Sequence, residues 1–132
     1  MTTLRKNIDI DAPAAHVWDV VRDVGAIHTR FAPGFVTDTR LEPGARIVTF
    51  ANGLQVRELI VDVNEDLRRL AYSARSENFE HHSASFEVVP LSASRTRLIW
   101  TTDVLPVAAA DLIRPMIEQG SIVIQRTLSK AV

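Results

Sequence analysis

Phe35-Val36-Thr37-Asp38-Thr39-Arg40-Leu41 runs straight into Glu42-Pro43-Gly44, and this coupling of a short run to a turn signal repeats as far as Leu105. Arg46–Phe50 meets Ala51-Asn52-Gly53, Gln55–Asn64 meets Glu65-Asp66, and Arg69–Arg75 meets Ser76-Glu77-Asn78. His81–Val89 gives way to Pro90–Ser94, and Arg95–Leu105 stops at Pro106. Pairs such as Asn52-Gly53 close tight turns because glycine reaches backbone angles that other residues avoid. Six strands joined in this way predict an antiparallel meander.

Upstream, Leu4, Ile8 and Ile10 share one face of Leu4–Ile10 while Arg5, Asn7 and Asp9 share the other, which predicts a further strand. Asp11-Ala12-Pro13 stops it; Pro13 has no amide hydrogen and a fixed φ, and so suits the first position of a helix. Val17, Val20, Val21 and Val24 recur at three- and four-residue steps, giving a short amphipathic helix over Ala14–Val24 whose stripe Trp18 widens and which Gly25 ends. Ala26–Phe31 is expected to form a second helical turn. Downstream, Val107 to about Lys130 returns to helical spacing through Leu112, Met116, Val123, Ile124 and Leu128, with Pro115 expected to kink or break it. An antiparallel sheet with one apolar face needs a cover, and only this last helix is long enough to provide it. A strongly curved sheet gripping one helix leaves room for a cavity.

The composition narrows the function. The chain has 132 residues, 15 Lys plus Arg against 16 Asp plus Glu, 46% hydrophobic residues and no cysteine. That length suits one domain over residues 1–132, and the apolar fraction with 23% charged residues argues against disorder. A net charge of -1 argues against nucleic-acid partners and anionic lipid surfaces. Without cysteine there are no disulfides, thiolate zinc sites, iron–sulfur clusters or cysteine nucleophiles. No apolar run follows the basic start, and the stretch Val104–Ala110 is broken by Pro106 and too short to span a bilayer. A soluble, cytoplasmic domain without membrane insertion is expected.

Several pieces share an order and spacing with a known family. They are Ile8-Asp9-Ile10-Asp11-Ala12-Pro13 with Val17-Trp18 and Arg22-Asp23, then Asn52-Gly53 with Arg57-Glu58-Leu59. Arg68-Arg69-Leu70-Ala71-Tyr72-Ser73 follows, and Thr96-Arg97 precedes Trp100 and Pro106. Over essentially its whole length the chain resembles the START/Bet v 1-like (SRPBCC) superfamily, in its polyketide cyclase/dehydrase branch. The resemblance implies an α+β helix-grip fold, in which a curved seven-stranded antiparallel sheet wraps a long C-terminal helix, with two short helices after the first strand. It further implies a cavity that holds lipids, hormones, polyketides or other apolar small molecules, and catalysis in some members only.

Strand alternation assigns the walls. His82, Ala84, Phe86 and Val88 form the apolar face of their strand, as do Leu70, Tyr72 and Ala74 of theirs. Leu98, Trp100 and Val104 contrast with Arg95, Arg97 and Asp103; Val48 and Phe50 face inward, with Arg46 as an exception on the same side. The strand from Gln55 is apolar on both faces, which predicts either a bulge midway or a partly covered outer face. The resemblance turns Glu58 inward and Arg57 outward, and sets the loop of Leu54 at the cavity mouth, either as part of a gate or as a plain hairpin tip. The expected wall is Phe35, Val48, Phe50, Val56, Glu58, Tyr72, Ala74, His82, Ala84, Phe86 and Trp100, with Met116, Gly120, Val123 and Ile124 as the helical lid. Gly120 costs the helix about 1 kcal/mol relative to alanine. Either close approach to the sheet or a ligand justifies it, or the helix weakens there.

Glu58, His82 and Tyr72 are the polar groups expected inside. Desolvation would raise the glutamate's pKa, and a histidine beside it would be held protonated. Such a pair can move protons at an enol or carbonyl, with Tyr72 orienting, as a cyclase or dehydratase requires. The plainer readings are that they form a hydrogen-bonded polar cluster, or anchor one polar end of a ligand without chemistry. His81 and His82 point to opposite faces, and His16 and His28 have no chelating spacing, so no metal and no cofactor are expected. Ser83 and Ser85 fall on the outer face, which removes a Ser–His pairing with His82. Beyond Arg46 or Arg30 no cation turns inward, which speaks against an acidic ligand. Three readings follow: a binder of a small, largely apolar molecule; a polyketide cyclase/dehydratase-type enzyme; or an interaction module with a vestigial pocket, dimerising through an exposed edge strand or helix.

Overall fold

The computed structural model describes residues 1–130. Strand β1 (Thr2–Ile10) leads into helix α1 (Ala14–Val21) and a π-helical turn (Ile27–Phe31). Strands β2 (Val36–Glu42), β3 (Ala45–Phe50), β4 (Gln55–Asn64), β5 (Arg69–Arg75), β6 (His81–Pro90) and β7 (Thr96–Leu105) follow. A short 3-10 turn (Val107–Ala109) then opens helix α2 (Ala110–Lys130).

The seven strands form one antiparallel sheet in the order β1-β7-β6-β5-β4-β3-β2, the meander predicted by the turn signals with β1 returning beside β7. Gly44 and Gly53 take φ of +69° and +87° in the β2–β3 and β3–β4 turns, the left-handed region that glycine enters without steric cost. The expected bulge lies in β4, where the register with β5 jumps between Ile60 and Asp62. Val56, Glu58 and Ile60 face inward before it, and Val61 is turned out to 63% exposure.

Helical details differ from expectation. Pro13 lies just before the first position of α1 rather than in it, its carbonyl accepting from the amides of His16 and Val17, and the helix starts at Ala14 as its spacing predicts. It ends at Val21, short of Gly25, because the bonds tighten there: Asp23 N–H reaches Val20 and Val24 N–H reaches Arg22. Helix α2 is continuous through Pro115 rather than broken by it.

The core has two centres. One joins α1, the π-helical turn and the inner face of the sheet to Val123, Ile124 and Leu128 of α2. The other joins Leu4 and Val104 to Ala109, Ala110, Ile113 and Ile117 at the start of α2. Trp100 packs against both. The helix is thus held to the sheet at its two ends. Its middle, at Gly120, lies over aromatic rings.

Candidate functional site

Two adjoining hollows lie between the sheet and α2, and Phe35, Phe50, Glu58, Tyr72 and Trp100 border both. The first also touches Leu54, Val56, Ala74, His82 and Met116; the second touches Val48, Phe86 and Ile124. Each leaves about 50 Å³ for the centres of water-sized molecules. That is room for a few waters and less than a benzene-sized cavity of roughly 150 Å³. Ala84, Gly120 and Val123 are buried and line neither hollow. A Cβ on Gly120 would lie 3.0 Å from Phe35 Cε2 and 3.3 Å from Trp100 Cζ3, so the glycine permits close approach of helix and rings.

Cross-strand register positions the polar groups. Arg46 and Glu58 are direct partners across β3 and β4 on the inner face, only 3% and 7% exposed. Arg46 Nε donates to Glu58 Oε1 at 2.8 Å, Nη1 donates to the Val24 carbonyl at 3.2 Å, and the guanidinium lies 5.2 Å from the Tyr72 ring centre. Glu58 is next paired with Ala74 of β5, and the β4–β5–β6 order sets His82 one strand further on. Two strand spacings of about 4.8 Å each hold the two strands roughly 10 Å apart. The expected Glu58–His82 contact therefore does not form among the described residues. Arg46 takes the place beside the carboxylate.

His82 is correspondingly not held protonated. Burial lowers its pKa to about 4, helped by the charge of His81, so the imidazole is neutral near pH 7. Its Nδ1 is sealed from solvent and lacks a hydrogen-bond partner. Phe79 packs on one side at 5.0 Å between ring centres, with the Tyr72 ring at 6.3 Å. The Tyr72 hydroxyl accepts from Trp100 Nε1 at 3.1 Å. Burial first and the negative charge of Glu58 second raise its pKa well above the ordinary tyrosine value, so it keeps its proton. Phe86 stacks between Tyr72 and Trp100, at 6.1 and 4.8 Å. The interior thus presents aromatic faces, one neutral imidazole, one phenol and one internally compensated ion pair.

Strand parity missed the residues that no strand carries. Phe79 lies in the loop before β6, and Ile113 and Ile117 face the first hollow from the opening turns of α2. Thr102 and Arg46 were accessible to parity, since each shares the inward face of its strand. Arg30, the other candidate inward cation, binds Asp19 and Asp23 at 2.8 Å instead.

The chain matches the family described as polyketide cyclase / dehydrase and lipid transport over residues 1–130. Among solved structures, a protein from Thermobifida fusca determined by solution NMR is 31% identical, with TM-score 0.75 over 98% of this chain and 91% of that one. A START superfamily protein from Mycobacterium smegmatis has TM-score 0.79 at 15% identity, covering 98% of this chain and 99% of that one. Norcoclaurine synthase from Thalictrum flavum, in complex with dopamine and hydroxybenzaldehyde, has TM-score 0.74 at 17% identity, covering 98% and 84%. No curated protein matches the sequence. Sheet order, gripping helix and the match over nearly all its length agree: this chain belongs to the polyketide cyclase/dehydrase and lipid transport family.

Proposed function

We propose that this protein binds a small, largely apolar molecule between the sheet and α2, at the seam of the two hollows. The observation that carries the reading is the wall itself: five aromatic rings at the first hollow, Phe35, Phe50, Tyr72, Phe79 and Trp100, surround the few polar groups of the site. Each hollow is smaller than a ring-sized ligand needs, so binding requires the two to merge. Phe35 and Phe50 are only partly buried and meet edge to face at 5.4 Å, whereas Tyr72 and Trp100 are tied by a hydrogen bond. Phe35 and Phe50 are the rings that swing.

The cyclase or dehydratase reading asks Glu58 and His82 to exchange protons. Ala74 between them and Arg46 on the carboxylate favour anchoring over chemistry. The test is native mass spectrometry of the protein purified from its own cells, followed by titration with toluene-sized apolar compounds. The reading expects a discrete added mass that vanishes on denaturation. Bare polypeptide, with no compound shifting the Trp100 indole signal, contradicts it.

A further inference from the structure

A buried arginine in a binding cavity ordinarily recruits an acid, because its planar fork matches a carboxylate in two parallel hydrogen bonds. Here that capacity is already engaged. On one side of the fork Nε is held by Glu58; on the other Nη1 is held by the Val24 carbonyl, and the flat face lies against Tyr72. An incoming carboxylate finds one position of each fork occupied and meets the Glu58 charge directly behind it. His82 offers no compensating positive charge, and the remaining lining polar groups, the Tyr72 and Thr102 hydroxyls and the Trp100 indole, are neutral.

Resting on the binding reading above, we propose that the Arg46–Glu58 pair sets the ligand class: the site takes uncharged molecules carrying a hydroxyl or amide, and rejects their carboxylate counterparts. A hydroxyl or amide both donates and accepts. It therefore suits the unpartnered Nδ1 of His82 whether that nitrogen donates or accepts, and can accept from the Tyr72 hydroxyl. Glu58 acts as a specificity residue through Arg46: with its charge removed, the same arginine becomes a carboxylate receptor.

The two probes are p-toluamide and p-toluate, alike in shape and different in charge, titrated at slightly alkaline pH. The readout is the pair of indole N–H signals in a proton–nitrogen spectrum. Trp100 borders both hollows, while Trp18 is bonded to Glu65 away from them and serves as the internal control. The wild-type protein is expected to bind the amide at least about tenfold more tightly than the carboxylate, as an unpaired buried charge requires. In Glu58→Gln, the carboxylate is expected to gain at least about tenfold relative to the amide. Equal wild-type affinities overturn the proposal, as does an unchanged ratio in a folded Glu58→Gln. If that variant loses signal dispersion, the wild-type ratio decides by itself. Failure of both probes to move Trp100 while other apolar compounds do so overturns the proposal and spares the binding reading; failure of every compound overturns both.

Discussion

At the scale of single residues, the neutral His82 has a measurable consequence. An ordinary histidine titrates near 6.5, and this one near 4 when folded, so between those values the unfolded chain binds a proton that the native chain does not. Stability is therefore complete above about pH 6.5 and declines by up to about 3 kcal/mol as pH falls to about 4. Urea unfolding across that interval is expected to show the slope in the wild type and to lose it in His82→Phe. The Arg46–Glu58 pair behaves differently. Arg46→Met strands a buried carboxylate and is expected to cost about 3–5 kcal/mol, while adding Glu58→Met recovers most of that loss. A double-mutant cycle by chemical denaturation measures it, and two additive losses would deny the coupling. The inward turn of Glu58 was legible through the family resemblance, but its partner was not used. Period-two alternation reports which face a side chain occupies and is silent on the strand opposite, so Arg46 stood as an exception on its face when it was the answer.

At the scale of elements, strands were more legible than helix ends. Turn residues bound strands sharply, so β4 and β5 match their expected limits residue for residue, and of the two readings of the double-faced β4 the bulge is the one that holds. The end of α1 was not legible, because Val24 keeps the apolar spacing after the backbone has already left the helix. Helix α2 carries two unfavourable residues with opposite explanations. Pro115 is exposed and lies inside the helix, where its ring denies Asp111 an amide donor. Pro115→Ala is expected to raise stability by about 1–3 kcal/mol, read as a higher denaturation midpoint. Gly120 is held by space. In Gly120→Ala the new methyl presses Phe35 toward the hollow it borders, so the helical gain of up to about 1 kcal/mol is kept or cancelled while ligand affinity falls about tenfold. Calorimetric titration beside thermal unfolding separates the two effects. Unchanged affinity would place the ligand elsewhere.

At the scale of the molecule, a helix fixed at both ends over a bent sheet cannot pack closely along its whole length. Its two anchoring clusters, around Leu128 and around Ile113, flank Gly120, and Phe35 and Trp100, the rings beneath that glycine, border both hollows. Topology followed from element order and from one long helix. The two small hollows did not, since five side chains, Phe35, Phe50, Glu58, Tyr72 and Trp100, border both and no sequence pattern specifies their rotamers. Among the described residues no helix is long and apolar enough to cross a membrane. The most direct measurement is a set of intermolecular nuclear Overhauser effects from bound p-toluamide to the protein's methyl and ring protons. Contacts to the Met116 methyl and to the rings of Phe35 and Trp100 are predicted. Contacts confined to Ala71, Ser83 and Thr101 on the outer face of the sheet, or none anywhere, would contradict the account.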